Sequence, residues 1–270
     1  MTLDDFLKML EEINDTSGLS KNNIVERIKM KLERIDLRSW KDSGFNINHI
    51  FTTHSDLDPV ETTLLHFAAK SGYENVVRAL IACEADVNAR DWDRCTPLHF
   101  AAEWNHKGIL DILIESEANV NACDNDGYTP LHFAAEGGNE SAVGALIASE
   151  ANVNAQNNDG HTPLHFATKS GYENIVIALI EHGACVNVWD SCGRTPLHFA
   201  SDHESIRDIL IQSVAYVSKQ NNNRYAPLHF AIEWGCKDVI SSLSGNASPR
   251  AEMAVGRVEQ ITIAERLKFF

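Results

Sequence analysis

The sequence predicts an all-α stack of helix–turn–helix units. Three observations carry that prediction. A seven-residue motif recurs six times at an almost constant interval. A second, three-residue marker keeps the same interval. Between the two lie short apolar stretches at helical spacing, each too small to bury its own face. Stacking such units joins their faces into one continuous core.

The motif reads TLLHFAA from Thr63, TPLHFAA from Thr96 and from Thr129, TPLHFAT from Thr162, TPLHFAS from Thr195 and APLHFAI from Ala226. The intervals are 33, 33, 33, 33 and 31 residues. The second marker is DVN ending at Asn88, NVN at Asn121 and Asn154, and CVN at Asn187.

The N-terminal residues 1–50 lack the motif but show two amphipathic helices. Leu3, Phe6, Leu7, Leu10 and Ile13 share one face, and Ile24, Val25, Ile28, Leu32 and Ile35 share another. We expect a helical N-terminal cap. The segment ending at Asn48, SGFNIN, looks like a worn copy of the second marker. A longer first loop is expected from Ile50 to Leu57.

Residues 51–246 hold the six repeats. In the four middle units Thr caps a short helix and Pro follows at its first position, where the missing N–H is no loss; the first unit has Leu64 in place of Pro and the sixth Ala226 in place of Thr. Small Ala residues let neighbouring helices approach closely. A break such as SGYEN leads to a second helix, with Val76, Val77, Leu80 and Ile81 or Ile175, Val176, Leu179 and Ile180 on its apolar face. A polar turn such as NNDG then suits a hairpin-like connection. The fifth unit is two residues short around Asp202–Ser205, so a shortened inter-helix turn is expected there. The sixth has Ser241, Ser242 and Ser244 in its second helix, a polarity that suits a terminal cap. Residues 247–270 read as a C-terminal capping helix or as a partner motif, and both readings stay open.

Residues 58–246, with their TPLH motifs, paired helices and GAxVN-like segments, resemble the ankyrin repeat. The resemblance implies an ankyrin-repeat α-solenoid with projecting hairpin fingers and a concave binding face. It implies that His66, His99, His132, His165, His198 and His229 are structural, bonding between adjacent units. Glu84, Glu117 and Glu150 stand where the family usually has Gly. A positive φ there would strain each of them mildly. Asn88 in LIACEADVN resembles asparagines that oxygenases hydroxylate, but a structural finger asparagine is the preferred reading.

Composition narrows the function. A net charge of −15 disfavours a phosphate backbone or an anionic membrane surface as partner. No run reaches the ~18 apolar residues of a spanning helix. The acidic N-terminus lacks the basic and apolar regions of a secretory signal. The six cysteines form no CxxC pair and read as reduced thiols, so a cytoplasmic location is expected. Nucleotide-binding glycine loops and serine-nucleophile motifs are absent from the sequence. CDNDG at Cys123–Gly127 lacks the acidic positions of a calcium loop and reads as a turn. No enzyme activity, cofactor or metal is expected.

The expected function is protein–protein interaction by a non-enzymatic scaffold. By resemblance, the contact positions flank each TPLH. On the finger side they are Trp92, Asp93, Asp126, Tyr128, Asp159, His161, Trp189, Arg194 and Tyr225. On the helix side they are Glu103, Trp104, Glu136, His203, Glu233 and Trp234. Trp and Tyr bury large areas at little entropic cost, and the acidic residues among them point to a partner with a basic or mixed-charge surface. The Asn-, Ile- and Phe-rich style is similar to ankyrin proteins of obligate intracellular bacteria, so an effector engaging a host cytosolic protein is one alternative. A self-associating structural protein is the other.

Overall fold

In this computed structural model, residues 62–200 and 202–213 are described in full. The backbone alone is described for 51–54 and 59–61, and 11–15, 18–20, 23, 24, 27 and 48 are described as short segments. The chain divides into two compact units, Met1–Asn152 and Val153–Phe270.

The first unit opens with a helical turn at 11–14, whose Ile13 is buried together with Ile24. Asn14 accepts the Asn75 backbone N–H at 3.0 Å, and the Asn75 amide donates to the Asn14 carbonyl at 2.9 Å. One of the orphan N–H groups at a helix start is thereby satisfied. Within the stretch expected as a loop, Phe51–His54 is instead a strand, β1, paired antiparallel with β2 (Pro59–Thr62). Phe51 pairs with Thr62 and His54 with Pro59. The β-branched Thr52, Thr53, Val60 and Thr62 favour this extended pairing over an irregular loop.

Three helix pairs follow: α1 (Leu64–Ser71) and α2 (Glu74–Ala82), α3 (Pro97–Glu103) and α4 (Lys107–Glu115), α5 (Pro130–Glu136) and α6 (Glu140–Ala148). First helices pack on first helices and second on second. The close approach rests on Ala68, Ala69, Ala101, Ala102, Ala134 and Ala135, none of which is exposed. The larger core side chains are Val76, Leu80, Leu110, Leu113 and Leu146 from the second helices.

The second unit has α7 (Pro163–Ser170) and α8 (Glu173–Glu181), then α9 (Pro196–Phe199) and α10 (Glu204–Gln212). The two missing residues do not shorten the turn as expected. They remove the last turn of the first helix, so α9 is 4 residues long where α7 is 8. Arg207 compensates. It occupies the buried slot of Val176 in α8, and its Nη1 donates to the Ala200 carbonyl at 3.2 Å, just past the truncated helix. A charged residue in an apolar repeat slot was the sequence signal for this exchange.

Each first helix among the described residues starts with the same reciprocal cap. The Thr96 hydroxyl accepts the His99 backbone N–H, and His99 Nδ1 accepts the Thr96 backbone N–H at 2.9 Å. The far ring nitrogen then reaches the next repeat. Nε2 of His66 donates to the Cys95 carbonyl at 3.0 Å, and that of His99 to the Tyr128 carbonyl at 3.1 Å. His165 reaches the Arg194 carbonyl at 3.4 Å in the second unit. These bonds fix the neutral tautomer. Burial lowers the pKa of His66, His99 and His165 from 6.5 to about 4. The structural role implied for these histidines therefore has a geometric basis.

Asparagine makes a second ladder. Asn88 accepts the Asn119 N–H at 2.7 Å and donates to the Glu117 carbonyl at 3.2 Å. Asn48, Asn121 and Asn154 repeat the pattern on Glu84, Glu150 and Gly183. Asn48 thus behaves as the finger asparagine that its worn motif suggested, and Asn88 has a structural task. Glu84, Glu117 and Glu150 do adopt positive φ, between 64° and 67°. Gly183 holds the same position in the second unit at 87°.

No helix among the described residues is long and apolar enough to cross a membrane. The sixth repeat and residues 247–270 lie outside the described residues.

Candidate protein-binding surface

Every finger is organised by one polar side chain at its base. Asp91 Oδ1 accepts the Cys95 N–H at 2.8 Å, and Asp124 Oδ1 accepts the Tyr128 N–H at 2.8 Å. Asn157 does the same for His161 at 2.8 Å and Asp190 for Arg194 at 2.7 Å. The loop backbone is therefore closed from within, and the residues between are turned outward. Neighbouring fingers are also wired together. Asn125 N–H donates to the Asp93 carbonyl at 2.9 Å and its amide to the Trp92 carbonyl at 3.2 Å. Ser191 N–H donates to the Asp159 carbonyl at 2.8 Å. A finger held this way is preorganised, and binding through it loses little conformational entropy.

In the first unit the outward residues are Trp92, 60% exposed, with Asp93 and Asp126 exposed beside it in the finger register. From the helices come Trp104, 51% exposed, and the exposed Glu103 and Glu136. Tyr128 is half-buried, its ring 5.6 Å from that of His132 and 5.7 Å from Phe133. Lys70, which sequence reasoning did not single out, lies 5.7 Å from the Phe100 ring and 5.9 Å from that of Trp104. Such cation–π contacts hold the indole in place without hiding it.

The electrostatics of this unit are acidic at the finger bases. Burial pushes the Asp91 carboxyl up to about 6, and Asp93 and Asp124 add to the shift. Asp124 is raised by the same causes, burial first and then Asp126 and Asp93. Two negative fingers side by side favour a cationic group in front of them.

In the second unit Trp189 is 46% exposed and Asp159 exposed. Tyr172, at the start of α8, is 37% exposed and was not anticipated. His161 and Arg194 are half-buried and both reach Asp190. His161 Nε2 lies 3.1 Å from Asp190 Oδ2, and Arg194 Nε donates to the same oxygen at 2.7 Å. Burial alone would raise the Asp190 carboxyl. The Arg194 N–H, its guanidinium and His161 outweigh that and hold it below the usual carboxylate range. The Arg194 guanidinium also stacks 4.5 Å from the Phe199 ring.

His203 is drawn into the scaffold. Its Nε2 donates to the Lys169 carbonyl at 3.3 Å, and Gly171, at φ 82°, leaves room for the ring. His106 makes the matching bond to the Lys70 carbonyl at 3.1 Å in the first unit. Tyr225, Glu233 and Trp234 lie outside the described residues. Among the described residues, no three metal-ligating side chains come together. Cys95, Cys123, Cys185 and Cys192 carry free thiols.

A family model for ankyrin repeats (3 copies) matches residues 41–124 and 109–190. No curated protein matches the chain.

Proposed function

The chain belongs to the ankyrin-repeat family, whose repeats generally mediate protein–protein interaction, and we propose that it is a non-enzymatic scaffold that binds a protein partner through its fingers and first helices. The observation that carries this reading is the set of exposed indoles. Trp92 and Trp104 present large apolar surfaces on a backbone already hydrogen-bonded into place. Exposed tryptophans on a rigid frame are the usual anchors of protein interfaces.

The acidic fingers of the first unit support a partner with a basic or mixed-charge surface. The free thiols fit a reducing, cytoplasmic setting, or a host cytosol if the protein is a secreted effector.

The test compares the full chain with a Trp92→Ala, Trp104→Ala double variant as baits in affinity capture from cell lysate. Hydrogen exchange first checks that the variant is folded. We expect a protein captured by the full chain and lost, by at least tenfold, with the variant. Equal capture by both baits would remove the indole surface from the interface.

A further inference from the structure

The shortened fifth repeat leaves a space beside Phe199, at a position where the equivalent repeat of the first unit carries an indole. In the first unit Lys70 lies against both Phe100 and Trp104. Lys169 and Phe199 occupy the corresponding repeat positions in the second unit, by their places in TPLHFATK and TPLHF. The fifth repeat has only Ala200, Ser201 and Asp202 between Phe199 and His203, so its sequence carries no aromatic counterpart of Trp104. Arg194 covers part of the Phe199 ring from the finger side instead. What remains is a cavity of about 140 Å³ lined by His161, His165, Phe166, Lys169, Arg194 and Phe199.

The lining is chemically one-sided. Lys169 and Arg194 bring two positive charges. Among the described residues, the carboxylate bonded to Arg194 is Asp190, which is buried and already receives the Arg194 Nε–H, the Arg194 N–H and the Cys192 N–H. Arg194 Nη2 also lies 3.4 Å from His161 Nε2, which leaves Nη1 and the second Nη2 hydrogen for another acceptor. His165 is neutral and spent on Thr162 and the Arg194 carbonyl, so it adds no charge. Phe166 and Phe199 supply apolar walls. At ~30 Å³ per water the space holds four or five waters, comparable to a carboxylate with one or two methylenes.

We propose that this cavity receives an acidic side chain, glutamate or aspartate, of a protein partner. The carboxylate meets Lys169 Nζ and the outer nitrogens of Arg194, and its methylenes lie against the two phenylalanine rings. The assignment rests on the scaffold reading above and fixes the chemistry of one contact within it. It also runs against the overall charge of −15, which disfavours the approach of anions in general.

That opposition makes the test clean. The labelled full chain is titrated with acetyl-tetraglutamate amide and followed by NMR at the Arg194 side chain and the Phe199 amide. Acetyl-tetraglutamine amide is the neutral probe. We expect saturable shifts with the acidic peptide alone, weakened about fivefold by Lys169→Gln and unchanged by Lys107→Gln, a change at an exposed α4 lysine paired with Asp111. Equal shifts from the neutral peptide, equal losses from both lysine variants, or no shift at these groups would each overturn the proposal. No natural partner is used, so such a failure leaves the scaffold reading standing. Loss of that reading would appear instead as capture unaffected by the tryptophan substitutions.

Discussion

In the unit that ends at Asn152, the carboxyls of Asp91 and Asp124 at the finger bases sit among other carboxyls and are pushed up. In the unit that begins at Val153, Asp190 holds the same position in its finger, makes the same backbone bond, and is pulled down by Arg194 and His161. The backbone role is identical, with acceptor distances of 2.8 Å in the first unit and 2.7 Å in the second. Only the neighbours differ. The contrast extends to the helices, where Lys70 is laid on two aromatic rings while Arg194 takes over the ring below Lys169. The repeat thus separates two tasks. Its invariant positions build the frame, and the residues beside them set the local charge without disturbing it.

Acid exposes what the units share. Histidines buried as neutral rings resist protonation in the fold but not in the unfolded chain. With folded pKa values near 4 against 6.5, stability is lost as pH falls through that window. Each of His66, His99 and His165 should contribute a loss on the order of 2 kcal/mol between pH 7 and pH 5. Urea unfolding read by circular dichroism would show the midpoint falling steeply over that range. A flat profile would mean that the histidine bridges are not closed in solution.

The comparison itself is sharpest under one substitution made twice. Asp190→Asn removes a charge that Arg194 and His161 stabilise, and should destabilise the protein by about 1 kcal/mol at pH 7, discounted for partial exposure. Asp91→Asn removes a charge that its surroundings oppose. Because the Asp91 pKa is raised, the wild type regains that stability only below its folded value near 6. Asp91→Asn should therefore stabilise by up to about 1 kcal/mol at pH 7, and the gain should vanish below pH 4. Asn157, which does the same backbone work, indicates that the amide is tolerated. If both substitutions shift thermal stability in the same direction, the neighbours do not control these carboxyls.

A smaller effect follows from the left-handed residue after each second helix. The first unit uses Glu117 there and the second uses Gly183. A Cβ on Gly183 would meet nothing within 4 Å, so only the backbone conformation opposes a side chain. Gly183→Glu should lose roughly 1 kcal/mol and Glu117→Gly should gain a few tenths, since glycine's freedom in the unfolded chain offsets part of the relief. Thermal melts of both variants check the opposite signs.

Much of this was legible before the structure. The interval of the TPLH motif located every described first helix, because a Thr cap followed by Pro leaves the chain few other starts. Finger positions followed from the same register. Trp92 and Trp189 are exposed on the fingers, and Trp104 is exposed at the end of α3. The two-residue deletion was visible, but not where it would be absorbed. A helix can drop its last turn if another group takes over its carbonyls, and Arg207 does so from seven residues further along the chain, on the next helix. The hairpin at 51–62 carried only a weak signal, a few β-branched residues next to a strong helical repeat.

The sequence by itself determined the repeat, its caps and the polar ladder, because these depend on contacts at a fixed offset that recurs down the chain. Tertiary structure alone decided the direction in which each acidic finger base is shifted, the bond of His203 to the Lys169 carbonyl and the cavity beside Phe199. Those depend on which variable side chains meet across neighbouring repeats, and on how a missing helical turn is filled. Distance and burial set such quantities, and neither is written in the spacing of residues along the chain.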